Sequence, residues 1–348
     1  MPIKYYQVYK VYLENKKVVN LDITDPISVS YKEKVGDRAT GVEQPELLRY
    51  AADRQHSDTI INGVSRIGTM AGGESALWKD EDFSDVFTSK AINFIRKNKA
   101  KPFFLFHSYH DIHVPRLPHP KFKGATKMGP RGDAIVQMDW MSGQIINELE
   151  RLGIADNTIV IFTSDNGPVL NDGYEDQSVE LIGTHKPAGP FRGGKYSAFE
   201  AGTRVPMIVY WPGKVKPAQS NALISQMDIY KSLAKLLNIE IEKDEAIDSQ
   251  ELLSVLLGKS KEGRKDLLEE SVGPHALRSQ NWKYISANKS NNNYPWLKPK
   301  GIEGGFSKQS QLFDLTKDVS EQNNIAEQHP ELVNKFQQRI ESIVDAGY

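Results

Sequence analysis

Three groups of polar residues in this chain have the types and spacing to do chemistry. Ser164-Asp165-Asn166-Gly167 follows an apolar run directly. Asp and Asn side chains are hard oxygen donors of the kind calcium and magnesium take, and Gly167 lets the backbone turn tightly beside them. The same residue types also make plain turns, so the tetrapeptide alone leaves an ordinary strand-to-helix turn open. His107, His110 and His113 recur every third residue. Alternation on an extended segment keeps all three from converging, and no cysteine or His-Glu-x-x-His pattern accompanies them. One catalytic or substrate-binding histidine with two structural ones is therefore expected, not a zinc cluster. His113, the last before Val114-Pro115, lies furthest into the loop.

The third group, Gly189-Pro190-Phe191-Arg192-Gly193-Gly194-Lys195-Tyr196, nearly spells a phosphate-binding P-loop. Tyr196 stands where a magnesium-holding Ser or Thr belongs, Pro190 removes a backbone donor, and no apolar strand precedes it, so nucleotide binding is rejected. What survives is a lysine on a glycine-rich loop, suited to an anion. Two hard-metal donors, a histidine and a lysine together suit a tetrahedral dianion or a sulfate ester. A cation would polarise the ester oxygens, the lysine would add charge stabilisation, and the histidine would protonate the leaving oxygen. A further carboxylate cluster, Asp172, Asp176 and Glu180, reads as a solvated loop.

The elements that must position these groups are strands. Phe103–Phe106, Thr158–Thr163 and Met207–Trp211 are short apolar runs, and the first two are followed at once by the polar groups above. Buried strands alternating with helices predict a parallel sheet with crossover helices, and in such sheets functional residues gather past the carboxyl ends of the strands. Helical spacing predicts helices over Asp85–Asn98, Gly132–Leu152 and Met227–Leu237, the second ended by Gly153. After residues 258–263 the pattern changes to short strands, Trp282–Ser286 and Leu312–Leu315, and a closing amphipathic helix at Pro330–Val344. The reading is an α/β domain over 1–262 and a small α+β subdomain over 263–348. Asn288–Gly305 reads as a polar surface loop.

Composition agrees with a globular chain: hydrophobic residues are 39% and charged residues 26% of 348. A formal charge of -1 offers no basic face for nucleic acid or a membrane surface. With no cysteine there is neither a disulfide, a thiolate metal site nor a cysteine nucleophile within these residues. The opening residues lack the apolar core of a signal peptide.

With these motifs in hand the chain resembles the sulfatase family. Lys101-Pro102-Phe103-Phe104-Leu105-Phe106 leading to His113-Val114-Pro115, then Thr163-Ser164-Asp165-Asn166-Gly167, then Arg192-Gly193-Gly194-Lys195 through Glu200-Ala201-Gly202-Thr203-Arg204-Val205-Pro206, are similar to three motifs of that family in its order. Leu277–Tyr284 and Gln311–Leu315 resemble its small closing sheet. The resemblance implies an alkaline-phosphatase-like α/β fold and hydrolysis of sulfate esters with bound calcium (Ca2+). It implies Asp165 and Asn166 as two calcium ligands, and His113 and Lys195 as contacts to the substrate sulfate, His113 also as proton donor to the leaving alcohol. His185 is a further candidate substrate contact. A sulfated carbohydrate is the expected substrate, and a periplasmic or secreted setting is what the family suggests.

The departures shape the expectation. The family carries an Asp-Asp metal pair, a Cys-x-Pro-x-Arg or Ser-x-Pro-x-Arg motif whose first residue becomes formylglycine, and a Gly-Lys-x-His run. None of these stands in the 348 residues. The chain is thus expected to be the C-terminal two-thirds of a sulfatase, incomplete at the N-terminal side of its sheet, short of calcium ligands, and dependent on a separate N-terminal piece for its nucleophile. The alternatives are a non-catalytic relative that binds sulfated glycans and a phosphodiesterase or phosphatase on the same fold.

Overall fold

The computed structural model describes residues 10–288 and 294–347. The chain divides into two compact units. One comprises residues up to Ile154 together with Leu170–His185, and the other comprises Ala155–Val169 with the residues from Lys186 onward. This division cuts the chain elsewhere than at residue 262.

In the first unit, three small antiparallel ladders pair β1 (Leu13–Glu14) with β2 (Lys17–Val18), β3 (Ser28–Ser30) with β6 (Thr69–Ala71), and β4 (Ile60–Ile61) with β5 (Val64–Ser65). Val11, Ile61, Met70 and Ala76 form their core. Helix α1 (Phe83–Asn98) buries Phe83, Ala91 and Ile95, which the i, i+4 rule stacks on one face. It packs on α2 (Gly129–Arg151). Glu148 of α2 accepts from Arg96 of α1 at 2.8 Å and from Arg151 at 2.6 Å. The two guanidinium groups hold its carboxyl down to about 2. Gly153, at φ +68°, ends the helix where a residue with a Cβ would be strained.

Phe103–Phe106 departs from expectation. It forms no strand among the described residues, and Phe104 and Phe106 are 74% and 73% exposed. Its half-buried residues are Phe103 and Leu105, and the Phe103 ring meets Phe94 of α1 edge-on at 5.9 Å. Phe103 thus packs on α1 while Phe104 and Phe106 face solvent. An extended run becomes a buried strand only with a neighbouring strand to take its backbone hydrogen bonds.

The carboxylate cluster is a second correction. Asp172 and Asp176 are buried, and Asp176 accepts from Arg116 at 2.7 Å with both side chains out of solvent. Glu180 alone is exposed.

In the second unit, β7 (Val160–Thr163) pairs with β8 (Met207–Tyr210), and the pairing is antiparallel, Thr163 opposite Met207 and Val160 opposite Tyr210. All ladders among the described residues are antiparallel, in place of the mainly parallel sheet expected. Within this unit the connection between them carries the four-residue helix α3 (Glu200–Thr203), and the chain runs from α3 straight into β8 beside the end of β7. Helix α4 (Asp228–Leu237) is capped by Asn238 in the left-handed region and packs on α5 (Leu253–Leu256).

The rest of the unit is one antiparallel sheet in the order β12 (Gln311–Asp314), β11 (Trp282–Ile285), β10 (Ala276–Ser279), β9 (Asp266–Glu269). Its alternation sends residues to two faces. Leu277, Tyr284 and Leu312 meet Phe336 and Ile340 of α6 (Pro330–Asp345). Ala276, Ile285 and Phe313 meet Ala198 and Phe199 on the other face. By register Arg278, Lys283 and Glu269 share that second face. The segment after Asn288 is less open than expected: Leu297, Gly304 and Gly305 are buried, while residues 289–293 lie outside the described ones.

Candidate functional site

The antiparallel register of β7 and β8 explains how two distant motifs meet. Thr163 ends β7 opposite Met207, so Ser164–Gly167 emerges where α3 and Arg204-Val205-Pro206 lead into β8. The backbones then lock. Gly167 N–H donates to Gly202 O at 2.9 Å, and Lys195 N–H to Pro168 O at 2.9 Å. A Cβ on Gly167 would lie 1.6 Å from Ala201 O, and one on Gly194 2.5 Å from Pro168 O. Only glycine admits so close an approach of two backbones, which is the physical content of the glycines in both motifs.

This clasp places Asp165, Asn166 and Lys195 on one cleft of about 310 Å³, together with Tyr196, Ser197, Gly202 and Thr203. The loop after β9 completes it with Glu270, Ser271 and Val272, and Val272 N–H donates to Tyr196 O at 3.3 Å. Asp165 is exposed, and its Oδ1 accepts from Asn166 N–H at 3.0 Å. Asn166 Nδ2 donates to Gly167 O at 2.8 Å, which leaves Oδ1 as the Asn166 oxygen suited to a cation. The Lys195 ammonium sits 5.1 Å from the centre of the Tyr196 ring.

The donor set falls short of a calcium shell. Asp165, Asn166 and Glu270 are the carboxylate and carboxamide side chains lining the cleft, against the 6–8 oxygens calcium takes, and no group of three or more acidic or histidine residues placed to hold a metal occurs among the described residues.

His113 and His185 belong to the first unit and Asp165, Asn166 and Lys195 to the second. His113 is exposed, and its Nδ1 lies 2.8 Å from Val114 O. A carbonyl oxygen only accepts, so Nδ1 carries the hydrogen in this contact. The other two histidines of that segment are packing residues. The His110 ring stands 4.1 Å from Phe83, edge to face. Burial, then the charges of Arg66 and His113, push His110 down to about 3. Burial also lowers His107. Tyr109 holds Ser142 of α2 at 2.7 Å, and Gln137 donates to Asp111, fixing the segment on α2. His185 is exposed, its N–H donating to Ile182 O at 3.2 Å.

A buried charge cluster supports the lysine loop from below. Glu200 at the start of α3, Lys283, Glu269 and Glu321 are all buried. Lys283 lies 3.4 Å from Glu200 and donates to Glu269. Burial alone would lower Lys283, but Glu269, Glu200 and Glu321 outweigh it and hold it raised. Burial likewise opposes ionised Glu200, and Lys283, Arg278 and Arg204 hold it below its usual value. Glu321 accepts from Glu200 N–H at 2.8 Å, and burial pushes it up to about 7. Arg192 donates to Glu321 O at 2.7 Å and stacks over Phe199 at 4.1 Å. Arg192-Gly193-Gly194-Lys195 is thus tied through Glu200 and Glu321 to the sheet. Neither Glu200 nor Lys283 was picked out from the sequence, because a lysine inside a central strand carries no periodic signal. Glu270–Val272 reach the cleft only through the sheet's tertiary position.

Against this geometry, known proteins are informative. Residues 25–239 match the Sulfatase family. An N-acetylgalactosamine-6-O-sulfatase of Bacteroides thetaiotaomicron is 50% identical over 334 residues, which cover 96% of this chain and 65% of that protein. A steryl-sulfatase of Rattus norvegicus is 36% identical over 186 residues, 52% of this chain and 31% of its own. Among solved structures, one from Bacteroides thetaiotaomicron, from work on glycosaminoglycan metabolism, superimposes with TM-score 0.93 at 50% identity, over 96% of this chain and 69% of that one. A Pseudoalteromonas sulfatase gives TM-score 0.62 at 26% identity, over 78% and 54%. The chain belongs to the sulfatase family, with its α/β fold. It spans about two thirds of the length of the Bacteroides relatives and about a third of the mammalian one.

Proposed function

We propose that this chain is the metal-and-sulfate-binding part of a sulfuric ester hydrolase acting on sulfated glycans. Asp165 and Asn166 donate two calcium oxygens in this reading, Lys195 binds the sulfate, and His113 protonates the leaving alcohol, with His185 touching substrate. Calcium, when bound, would polarise the ester oxygens and neutralise charge built up on them. The Lys195 ammonium would balance the sulfate's charge from a loop locked by the Gly167 and Gly194 contacts, so little reorganisation is needed on binding. With the Nδ1 hydrogen directed to Val114 O, Nε2 is the atom through which the His113 ring would gain and pass on its second proton.

The observation that carries the proposal is that Asp165, Asn166 and Lys195, from two motifs, line one cleft. The relative named for N-acetylgalactosamine 6-O-sulfate chemistry makes that ester the first substrate to try. The formylglycine nucleophile, for which these residues hold no Cys-x-Pro-x-Arg or Ser-x-Pro-x-Arg motif, would come from a separate N-terminal sulfatase segment that also supplies the remaining calcium ligands.

The test is reconstitution. This chain, with calcium, is mixed with a segment bearing Asp-Asp and the Cys-x-Pro-x-Arg motif in its oxidised form, and sulfate release from N-acetylgalactosamine 6-sulfate is measured. Release should require both parts and fall at least a hundredfold on Lys195→Ala or His113→Ala. Preference for a phosphate ester, with zinc in place of calcium, would favour a phosphatase. Tight binding of the sulfated sugar with no turnover in the reconstituted protein would favour a lectin-like relative.

A further inference from the structure

We propose that Trp296 and Tyr196 form a sugar-stacking platform on the rim of the Lys195 cleft, so that the ring bearing the sulfate is held by its apolar face. The inference rests on the sulfate-binding reading above and extends it to the part of the ligand that is not charged.

Tyr196 lines the cleft beside Lys195. Its ring is met edge-to-face by Trp296 at 4.9 Å and 89°. The Lys195 ammonium lies 5.1 Å from the same Tyr196 ring, so ammonium and indole are at most about 10 Å apart. That is the reach of one pyranose ring with an exocyclic sulfate. Tyr294 stands behind, 6.2 Å from Trp296, and stacks on Phe306 at 5.4 Å. Glu270, on the opposite loop of the cleft, is largely exposed and offers a carboxylate to sugar hydroxyls.

The loop that carries Trp296 is pinned to the lysine loop. Ser197 Oγ donates to Glu303 O at 2.5 Å, Ala198 N–H donates to Gly304 O at 3.1 Å, and Arg192 Nε donates to Glu303 at 2.9 Å. Leu297, next to Trp296, is buried and anchors the turn. Trp296 itself is 39% exposed, against 3% for Trp78. Of the five tryptophans it is the one left exposed. Leaving part of an indole in water forfeits apolar burial, yet here the ring is held against Tyr196 and Tyr294. An aromatic face with a polar rim is what a pyranose takes: its axial C–H groups pack on the ring and its hydroxyls bond outward.

The experiment measures binding of three probes to the full chain in calcium buffer by calorimetry: N-acetylgalactosamine 6-sulfate, N-acetylgalactosamine and inorganic sulfate. Trp296→Ala should weaken the sulfated sugar about tenfold and leave inorganic sulfate unchanged. Trp296→Phe should restore most of the loss, which separates stacking from misfolding. Equal binding of the sulfated sugar by Trp296→Ala and the parent, or an equal loss for both sulfated sugar and sulfate, overturns the platform. A parent that binds inorganic sulfate in a Lys195-dependent way but gains nothing from the sugar overturns the platform while leaving the sulfate reading intact. A parent that binds neither, or whose sulfate binding survives Lys195→Ala, overturns both.

Discussion

Phe103–Phe106 and Trp282–Ile285 are both four-residue runs rich in large side chains, and the molecule treats them oppositely. Trp282–Ile285 lies between two strands, pairs on both edges, and buries Lys283, Tyr284 and Ile285. Phe103–Phe106 meets α1 through Phe103, joins no ladder among the described residues, and leaves two phenylalanines about three quarters exposed. The more apolar run is the more exposed one. Burial is therefore decided by whether a ladder partner exists, since backbone groups without partners cannot leave water. Given partners on both sides, even a lysine is drawn in and neutralised by carboxylates.

The sharpest way to break this contrast is Lys283→Ala. Removing one partner of a buried ionic cluster takes the cation from Glu269 and leaves Glu200 with only Arg204 and Arg278, and should cost about 3–5 kcal/mol, read as a lower urea midpoint. A loss below about 1 kcal/mol would mean the centre of the sheet tolerates what the structure forbids.

A smaller effect is expected at Glu321. Its folded value is raised to about 7 from 4.5. Between those values the native state holds a proton that the unfolded chain has released, so stability falls as pH rises through this window, by roughly 3 kcal/mol at most. Glu321→Gln keeps an acceptor for Glu200 N–H and should flatten the decline of melting temperature between pH 5 and 8. An unchanged slope would place the titration elsewhere.

The smallest effect belongs to the exposed run. Phe104→Ser with Phe106→Ser should leave stability within about 0.5 kcal/mol per site and reduce self-association in light scattering. A loss of several kcal/mol would show that these rings are buried in solution and would erase the comparison.

Much of this was legible beforehand. Helical spacing located α1, α2, α4 and α6 to within a few residues, and apolar runs located β7, β8, β11 and β12. Asp165, Asn166 and Lys195 were picked out by donor chemistry and glycine spacing, and they do share a cleft. What sequence could not give was pairing. The apolar character of Thr158–Thr163 and Met207–Trp211 suited parallel and antiparallel neighbours alike, and only the folded register, with Thr163 opposite Met207, decides between them. Phe103–Phe106 had the composition of a strand but pairs with no strand among the described residues. Tyr196 was read as a defect in a P-loop, although it lies between the ammonium and the indole. The burial of Asp176 depended on Arg116, sixty residues away, and a local reading of its loop had no access to that pairing.

The chain leaves the second unit after Val169 and re-enters it at Lys186. From the end of β7 at Thr163 to its partner at Met207 is 44 residues. At ribosomal speeds of about 5–20 residues per second, β7 waits for a few seconds before its mate is made. During that interval Val-Ile-Phe-Thr is an open edge, a natural landing place for a chaperone that grips extended apolar peptides.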